Sequence, residues 1–519
     1  MTRRDFFHTS TAALPAAASG PALAATAAFA WSEATLQDLQ QAQSEGRASA
    51  VSLAQDHLQR IAQLDGALKS LIELNPQAEA IAHERDAERR AGRIRGHLHG
   101  VPIVIKDNIA SLDRMATSAG SPALAGQPAR AEAPLLGRLR EGGAVLIGKS
   151  NLSEWANFRG KGSISGWSSR GGQTRNPYAL DRSPSGSSSG SATAVASSLA
   201  VLAVGTETDG SITSPCSVQG LVGLKPTHGL ISAAGIIPIA PSFDCAGPMA
   251  RTVRDAATML AAMAQPRPGF AQALLNLAPQ ALRGARLGVV RNLVEGHSRA
   301  TQALFESACQ RLREGGATVV EAPMPSAAAI GEPQLEVLIT ELAPAMAQYL
   351  SDYAAANAPR SLAELAAYNR VHPHTLAWFG QEWFEASLLK TQGLQDPHYR
   401  RQLARARRLA RAEGIDKLLR SQQLDALIAP TTGPAWLIDP LRGDHDNAPS
   451  ATTPAAVAGY PHLTVPMGLV GGLPVGLSLM GTAWQEPRLL ALGAHFEQLG
   501  VKRPVPTFQA SAHHNTSSA

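Results

Sequence analysis

The sequence predicts an α/β fold, a single large domain in which helices cover one central sheet. Short apolar runs alternate with segments of helical periodicity, as strands and helices do in this class. The chain has 519 residues, of which 44% are apolar and 17% are charged. This composition supplies a large core and excludes a mainly disordered chain. No linker rich in Pro, Gly and Ser divides the chain, so one domain is expected over residues 31–505.

Seven short apolar runs are the predicted strands of this sheet. Each is three to six residues long, and continuous apolar runs of that kind are typical of strands buried on both faces. The runs are Val101–Ile105, Ala144–Ile147, Leu199–Val204, Leu287–Val290, Leu424–Ala429, Leu463–Val465 and Val475–Leu479.

Helix starts are predicted where a Ser or Thr stands three positions before an acidic or amide residue, the pattern of a capping box. This pattern occurs at Ser52, Thr252 and Ser361, each before an apolar-periodic run. Residues 77–95 and 397–420 are predicted to form long amphipathic helices. The second is rich in arginine, which indicates a solvated face more readily than a nucleic-acid patch.

Both ends of the chain differ from the rest. Residues 2–7 read TRRDFF, which resembles the twin-arginine export motif, and an Ala-rich run with small-x-small cleavage sites follows. Residues 1–30 are therefore expected to be a signal peptide that directs the protein to the periplasm, with a disordered Ala-rich tail as the alternative. Residues 506–519 are expected to be a disordered polar tail.

Composition excludes several classes of protein. The net charge is +5 and is spread along the chain, so it does not favour nucleic-acid binding. No run of about 18 strongly apolar residues follows residue 30, which excludes a multispanning membrane protein. Three cysteines allow at most one disulfide, so the chain is not a disulfide scaffold.

The first segment that suits chemistry places a lysine at the end of a predicted strand. Residues 101–108 read VPIVIKDN, and the lysine is Lys106. A lysine in this position must reach solvent, pair with a carboxylate or lose its proton. On the segment alone, a salt-bridged structural lysine is favoured over a catalytic one. Consecutive strand side chains point to opposite faces, so Asp107 is expected to face away from Lys106.

Two further segments combine small residues with serines. Residues 184–191 read PSGSSSGS and precede a helix-like run over 192–200, so N–H groups and hydroxyls are expected to crowd at a helix start that favours negative charge. A flexible Ser/Gly loop is the equal alternative. Residues 205–215 read GTETDGSITSP after an apolar strand. Such a turn can present a serine beside free backbone N–H groups, which suit an oxyanion.

Together these segments resemble the amidase signature family. Ser211 follows Ser187 by 24 residues and begins the sequence SITSP, which fits the family's GSIxxP motif, and GLVGLKPT follows at 220–227. The strand with Lys106 lies upstream, where the family has it. The resemblance extends from about residue 35 to about residue 500 and includes residues 142–151, 247–251 and 458–461.

The resemblance implies a central twisted mixed β-sheet with α-helices on both faces, and a hydrolase that cleaves carboxamide C–N bonds. It implies that Ser211 is the nucleophile, that Ser187 bridges to it, and that Lys106 is the base. The peptide bond between Gly186 and Ser187 is expected to be cis. Carboxylates are expected to be kept away from the Lys106 amine, because they would hold it protonated.

The resemblance also implies an oxyanion hole and the absence of a cofactor or metal. The four implied oxyanion donors are the backbone N–H groups of Thr208, Asp209, Gly210 and Ser211. Two positions depart from the wider family, because Asp209 stands where many members have glycine and Thr213 where many have arginine.

Within the family, residues 151–160 and 205–211 most resemble the peptide amidase type, which removes the C-terminal amide from peptide amides. The expected partner is thus a small-molecule or peptide amide. Nucleic acid, stable membrane insertion and an obligate protein partner are not expected. A broad-specificity amidase of aliphatic and aryl amides is an alternative. An amidotransferase of the A type that supplies ammonia is a weaker one, since it works in the cytosol. A non-catalytic binding protein would not need Lys106, Ser187 and Ser211.

Other motifs compete with this interpretation. Residues 186–190 fit Gly-x-Ser-x-Gly with Ser188 as nucleophile, but the residues before them are poor strand material. Ser387 and Lys390 match Ser-x-x-Lys without its companion motifs. Cys216 is expected to be a packed residue. His83-Glu84 and the pairs His372/His374 and His513/His514 lack metal-ligand spacing.

Overall fold

The computed structural model describes residues 30–445, 448–500 and 503–512. Apart from Ala30, the expected signal peptide lies outside these residues. The strands of the described chain are β1 (Leu71–Leu74), β2 (Pro102–Lys106), β3 (Val145–Ser150), β4 (Trp167–Ser168), β5 (Gly172–Gln173), β6 (Leu202–Glu207), β7 (Val222–Lys225), β8 (Cys245–Ala250), β9 (Arg286–Val289), β10 (Thr318–Glu321), β11 (Ala426–Pro430), β12 (His462–Val470) and β13 (Leu473–Met480).

Helices occupy most of the segments between these strands. They are α1 (Leu36–Ser44), α2 (Ala50–Leu68), α3 (Ala78–Arg90), α4 (Pro134–Glu141), α5 (Ser189–Ala196), α6 (Thr213–Val218), α7 (Val253–Met263), α8 (Phe270–Leu275), α9 (Arg299–Glu314), α10 (Gly331–Asp352), α11 (Leu362–Val371), α12 (Glu382–Leu388), α13 (Pro397–Ala410), α14 (Asp416–Ser421), α15 (Thr452–Ala458) and α16 (Glu486–Gln498).

One mixed sheet forms the centre of the domain. Its order is β1-β3-β2-β6-β8-β7-β12-β13-β11-β9-β10, and β4 and β5 pair separately. The pairs β3/β2, β2/β6, β11/β9 and β9/β10 are parallel, and the other neighbours are antiparallel. Strands β2 and β6, whose ends carry residues of the candidate site, therefore lie side by side and end at the same edge of the sheet.

Apolar side chains are buried on both faces of the sheet. In β2, Ile103 and Ile105 pack into one core cluster with α7 and α16, whereas Val104 packs into another with α2 and α5. This alternation follows from the two-residue period of a strand. A third cluster packs α10 and α13 against Leu427 of β11. The predicted fold, one large domain with a mixed sheet between helical layers, is confirmed.

Most predicted elements are present, with shifts at their ends. Each of the seven apolar runs overlaps a strand, and Thr252 and Ser361 cap α7 and α11 through the N–H groups of the residues three positions on. The predicted cap at Ser52 is wrong. Ser49 is extended and its hydroxyl accepts from the Ser52 N–H at 3.0 Å, so the helix begins at Ala50.

Two predicted helices are shorter than expected. The helix predicted over 77–95 ends at Arg90. The one predicted over 397–420 is interrupted after Ala410 by a π-helical turn, Arg411–Ile415, in which Gly414 leaves helical geometry. Glycine tolerates such a break because it lacks a Cβ.

Ordered contacts extend beyond residue 505, where the tail was expected to begin. The N–H groups of Leu180 and Asp181 donate to the carbonyls of Gln509 and Ala510, and the Phe508 N–H donates to Pro177. Residues 513–519 lie outside the described chain. No helix in the described ranges is both long and apolar enough to cross a membrane.

Candidate active site

Lys106 is the last residue of β2 and is completely buried. Its Nζ donates to Ser187 Oγ at 2.8 Å, to Thr206 Oγ1 at 2.9 Å and to the Thr206 carbonyl at 3.1 Å. Thr206 lies in β6, the strand that pairs with β2. The segment alone favoured a salt-bridged structural lysine. The strand pairing instead surrounds the amine with the neutral oxygens of Ser187 and Thr206, and no carboxylate is hydrogen-bonded to it.

Burial changes the acid–base behaviour of this amine. Because the charged form loses its hydration, burial lowers the pKa of Lys106 to about 7. The carboxylates of Glu207 and Asp244 act in the opposite direction. The expectation that carboxylates are kept away is therefore wrong for these two residues. It holds for Asp107, which faces away and accepts from Ser118 Oγ and from the Gly120 N–H at 3.2 Å.

Ser187 lies in the tight turn that leads into α5. The Gly186–Ser187 peptide bond is cis, as the resemblance implied. A Cβ on Gly186 would overlap Ser153 Oγ, so the close approach of this turn to its neighbours requires glycine. The Ser153 N–H donates to the Ser187 carbonyl at 3.1 Å. This turn is therefore a packed part of the site, and the alternative of a flexible Ser/Gly loop is wrong.

Ser211 lies in the turn between β6 and α6 and is 7% exposed. Its carbonyl accepts from the Ser188 N–H at 3.1 Å, which holds this turn against the one that carries Ser187. Its hydroxyl has no hydrogen-bond partner among the described residues. The structure thus joins Lys106 to Ser187 through side chains, and Ser187 to Ser211 only through neighbouring backbone.

Glu207 organises the turn after β6. Its carboxylate accepts from the backbone N–H groups of Ile212 at 2.7 Å and Thr213 at 2.9 Å, which begin α6. Burial raises the pKa of Glu207, while the Lys225 charge acts against this rise. The Glu207 carboxylate thus fixes the start of α6, and the residues before Ile212 form the loop that joins α6 to β6.

This loop contains the four residues implied as oxyanion donors, Thr208–Ser211. In the part of the chain that the structure describes, none of their four N–H groups donates to a protein acceptor. Gly210 has a φ of +77°, a left-handed conformation that favours glycine. Unpaired backbone N–H groups in a buried turn can stabilise a developing oxyanion.

Side chains anchor the first two residues of this loop. Thr208 Oγ1 donates to Asp244 Oδ1 at 2.6 Å, and burial raises the pKa of Asp244 to about 7. Asp209 accepts from three side chains, those of Thr452, Thr453 and Gln334. Sequence reasoning missed Thr206, Asp244 and these partners. Only the pairing of β6 with β8, which sets Glu207 opposite Cys245, brings Asp244 to the site.

A small apolar cavity lies beside the candidate site. Its volume is about 10 Å³, which is space for about one water molecule. It is lined by Asn108 and by apolar residues that include Trp155, Ile239, Met346 and Phe384. Asn108 Nδ2 donates to Thr206 Oγ1 at 3.0 Å, and the Ile239 N–H donates to Asp244 at 3.0 Å. Asn108 is thus bonded to Thr206, a partner of Lys106, and Ile239 is bonded to Asp244, the partner of Thr208.

The loop over residues 151–160 forms one side of this cavity. Trp155, Ala156 and Asn157 have φ of 51°, 55° and 66°, a left-handed run that other side chains must hold in place. Glu154 and Arg159 form a completely buried ion pair that flanks this run. Arg159 also donates to the carbonyls of Gly380 and Phe379, each at 3.1 Å, so it ties the loop to the segment before α12.

The competing motifs have structural roles. The Ser188 hydroxyl donates to the Thr206 carbonyl at 3.1 Å, and the Ser387 hydroxyl accepts from the Ala343 N–H at 3.1 Å. Lys390 pairs with Glu336 at 2.6 Å. The Cys216 thiol is buried, which raises its pKa well above the ordinary value. Within residues 30–445, 448–500 and 503–512, no three His, Cys, Asp or Glu side chains are grouped to hold a metal.

Comparison with known proteins relates this site to a family. The family model described as Amidase matches residues 52–490. The structure is similar to that of native peptide amidase from Stenotrophomonas maltophilia, with a TM-score of 0.86 and 48% identity over 94% of this chain and 100% of that one.

Curated sequences agree with this relationship. A probable amidase of Arabidopsis thaliana is 35% identical over 516 residues, which cover 93% of each chain. The A-type component of the glutamyl-tRNA(Gln) amidotransferase of Symbiobacterium thermophilum is 36% identical over 478 residues, 88% of this chain and 94% of that one. The chain therefore belongs to the amidase signature family and is an amide-hydrolysing enzyme.

Proposed function

We propose that this enzyme hydrolyses the C-terminal amide of peptide amides to the acid and ammonia, through an acyl-enzyme on Ser211. The observation that carries the catalytic part is the contact between Lys106 Nζ and Ser187 Oγ at 2.8 Å, at an amine whose pKa burial lowers to about 7. A general base works best when its pKa lies near the operating pH. An ordinary lysine, with a pKa of about 10.4, would be almost entirely protonated there.

The surroundings of Lys106 suit a neutral amine with one free lone pair. Such an amine has two N–H donors, and the Thr206 carbonyl and hydroxyl can accept both. Its lone pair is then available to Ser187, whose O–H donates along the same 2.8 Å contact. Ser187 Oγ then accepts the proton of Ser211 as the nucleophile attacks.

Acylation then proceeds with a balanced transfer of one proton. Ser211 Oγ bonds to the amide carbon while its proton moves to Ser187 and the Ser187 proton moves to Lys106. The carbonyl oxygen becomes an oxyanion near the N–H groups of Thr208–Ser211. When the C–N bond breaks, the proton returns along the same path to the leaving nitrogen. Ammonia departs and an ester remains on Ser211.

Deacylation repeats these steps with water as the nucleophile. Water attacks the ester carbon and gives its proton through Ser187 to Lys106, and the proton then returns to Ser211 Oγ as the acid leaves. No step requires a cofactor or metal, since the chain's own residues carry the proton and the acyl group.

The substrate class rests on similarity to known amidases. The peptide amidase from S. maltophilia shares 48% identity over 94% of this chain, and its name states its activity. The amidotransferase component shares 36% over 88%. These observations favour a peptide amide over glutamine.

A substrate screen tests this proposal. The purified enzyme is given an N-acetylated dipeptide amide, a fatty amide, an aryl amide, glutamine and an unmodified peptide, with ammonia and product masses measured. Ser211→Ala is the control for background hydrolysis. We expect the peptide amide to release ammonia fastest and the unmodified peptide to stay intact. Fragmentation of the peptide without ammonia would contradict the proposal, and a preference for fatty or aryl amides would indicate a broad-specificity amidase.

A further inference from the structure

Asp209 carries the only side-chain charge in the loop Thr208–Ser211, and it points at three neutral donors. Asp209 Oδ1 accepts from Thr452 Oγ1 at 2.6 Å. Oδ2 accepts from Thr453 Oγ1 at 2.7 Å and from Gln334 Nε2 at 2.9 Å. Among the described residues, no lysine, arginine or histidine pairs with this carboxylate.

A negative charge in this loop is unfavourable for the proposed chemistry. The oxyanion forms beside the backbone of the same residues, and like charges a few ångströms apart repel each other strongly in a buried site. A carboxylate is tolerable there only if other groups hold it away from the reacting atoms. Its three hydrogen bonds bind it to side chains of α10 and α15, which stabilise its charge and fix its position.

The three donors come from distant parts of the chain. Gln334 belongs to α10 and is 125 residues from Asp209, whereas Thr452 and Thr453 begin α15. Gln334 and Thr452 are 6% and 4% exposed, so the walls that hold the carboxylate are buried and packed. The loop therefore gains two attachments that its own short sequence could not provide.

The adjacent glycine shows how closely the loop fits these walls. A Cβ on Gly210 would lie 3.1 Å from Thr452 Oγ1 and 3.3 Å from its Cγ2. With its positive φ, this position therefore requires glycine, because any side chain would be strained and would press against Thr452.

We propose that Asp209 is a positioning residue, whose carboxylate clamps the loop Thr208–Ser211 to α10 and α15 so that its N–H groups converge on the oxyanion. This inference rests on the proposed acyl-enzyme reaction. It explains why a position at which many family members have glycine is acidic here, at a place where its charge would otherwise oppose catalysis. The clamp acts through the backbone and does not touch the substrate.

The position of the N–H groups matters only when the oxyanion forms, so the clamp should affect kcat more than KM. Removal of one oxyanion donor typically costs about 10²–10³-fold in kcat. Displacing the loop without deleting a donor should cost less. We expect Asp209→Asn and Thr453→Val to lower kcat by about 10- to 100-fold, with KM changed less than about threefold.

The test uses the purified enzyme and a peptide amide, with two matched controls. Thr453→Ser keeps the hydroxyl that Thr453→Val removes, and it should restore most of kcat. Asp439→Asn makes the same chemical change in a surface loop and should leave kcat unchanged. In the double variant Asp209→Asn/Thr453→Val, kcat should fall no further than in Asp209→Asn alone, because both changes open one clamp.

An inhibitor pair separates positioning from general loss of structure. A peptide aldehyde can form an oxyanion on Ser211, whereas the matching peptide alcohol cannot. We expect Asp209→Asn to bind the aldehyde about 10-fold or more weakly and the alcohol as tightly as the unchanged enzyme. The inference would be overturned if Asp209→Asn weakened binding of the aldehyde and the alcohol equally. It would also be overturned if this variant had an unchanged kcat, or if it only raised KM for cationic substrates. If the unchanged enzyme releases no ammonia from any peptide amide, the proposed function itself has failed.

Discussion

Lys106 Nζ and Ser187 Oγ lie 2.8 Å apart, although 81 residues separate them in the chain. One residue ends a buried strand and the other follows a cis peptide bond in the turn before α5. Two oxygens of Thr206 occupy the remaining donors of the amine. The three hydrogens of a charged Lys106 amine thus each have an acceptor. In the neutral amine, the Thr206 oxygens can accept both N–H groups, which leaves the lone pair free for the Ser187 O–H.

Substitution of Lys106 should abolish most activity. General acid–base catalysis is typically worth about 10²–10⁴-fold, and we expect Lys106→Ala to lose at least that much in kcat. Lys106→Arg should fail almost as badly, because a guanidinium does not give up its proton at these pH values. Turnover with a peptide amide measures the effect, and circular dichroism checks folding. Near-normal turnover in a folded Lys106→Arg enzyme would rule out the proton path.

The pH dependence of kcat/KM should follow Lys106. The amine acts as a base only when neutral, so activity should rise as pH increases through about 7, its pKa, and fall as pH drops below that value. The Asp244 carboxylate raises this pKa. Asp244→Asn should therefore move the acid limb of the profile to lower pH. An acid limb that stays in place or moves upward in this variant would contradict the assignment.

The three serines should differ in a fixed order. Ser211→Ala should lose nearly all activity and the ability to react with a fluorophosphonate, because the nucleophile is gone. Ser187→Ala should be less severe, since water can partly replace the bridging hydroxyl. Ser188→Ala should keep activity within about 10-fold, while losing about 1–3 kcal/mol of stability from unpaired backbone groups. Fluorophosphonate labelling that depends on Ser188 and not on Ser211 would favour the nucleophile-elbow alternative.

The buried pair of Glu154 and Arg159 should be costly to break from one side. Arg159→Met leaves the Glu154 carboxylate buried without its partner, and such changes typically cost about 3–5 kcal/mol. The double variant Glu154→Gln/Arg159→Met removes both charges and should recover a large part of this loss. Denaturant unfolding of the three proteins measures the effect. A double variant less stable than Arg159→Met would show that the pair does not act as a unit.

Export is a separate proposal that rests on residues 1–30. If Arg3 and Arg4 belong to a twin-arginine signal, Arg3→Lys/Arg4→Lys should retain active, unprocessed enzyme in the cytoplasm of a host with that pathway. Ammonia release from a peptide amide, assayed in periplasmic and cytoplasmic fractions, gives the distribution. Unchanged periplasmic activity would show that the pair is not the signal.

Some strands and helix starts escaped prediction for identifiable reasons. β8 contains Gly247 and Pro248, and β7 lies inside a glycine-rich motif, so neither has the continuous apolar run that the other strands show. Ser52 fits the sequence pattern of a helix cap. Ser49, however, lies nearly one turn earlier and is the residue that caps α2. Local sequence gives several permissible starts, and packing of the helix selects among them.

The sequence by itself determined the fold class, the family and the local geometry of the catalytic segments. Apolar runs specify buried strands, and the glycines of residues 184–191 and 205–215 permit turns that other residues could not adopt. The environment of Lys106 was decided only by the tertiary structure. The pairing of β2 with β6 and of β6 with β8 brings Thr206 and Asp244 to the amine, and burial then lowers its pKa to about 7. Desolvation and charge–charge interactions depend on distances through space, which a chain acquires only when distant segments pack together.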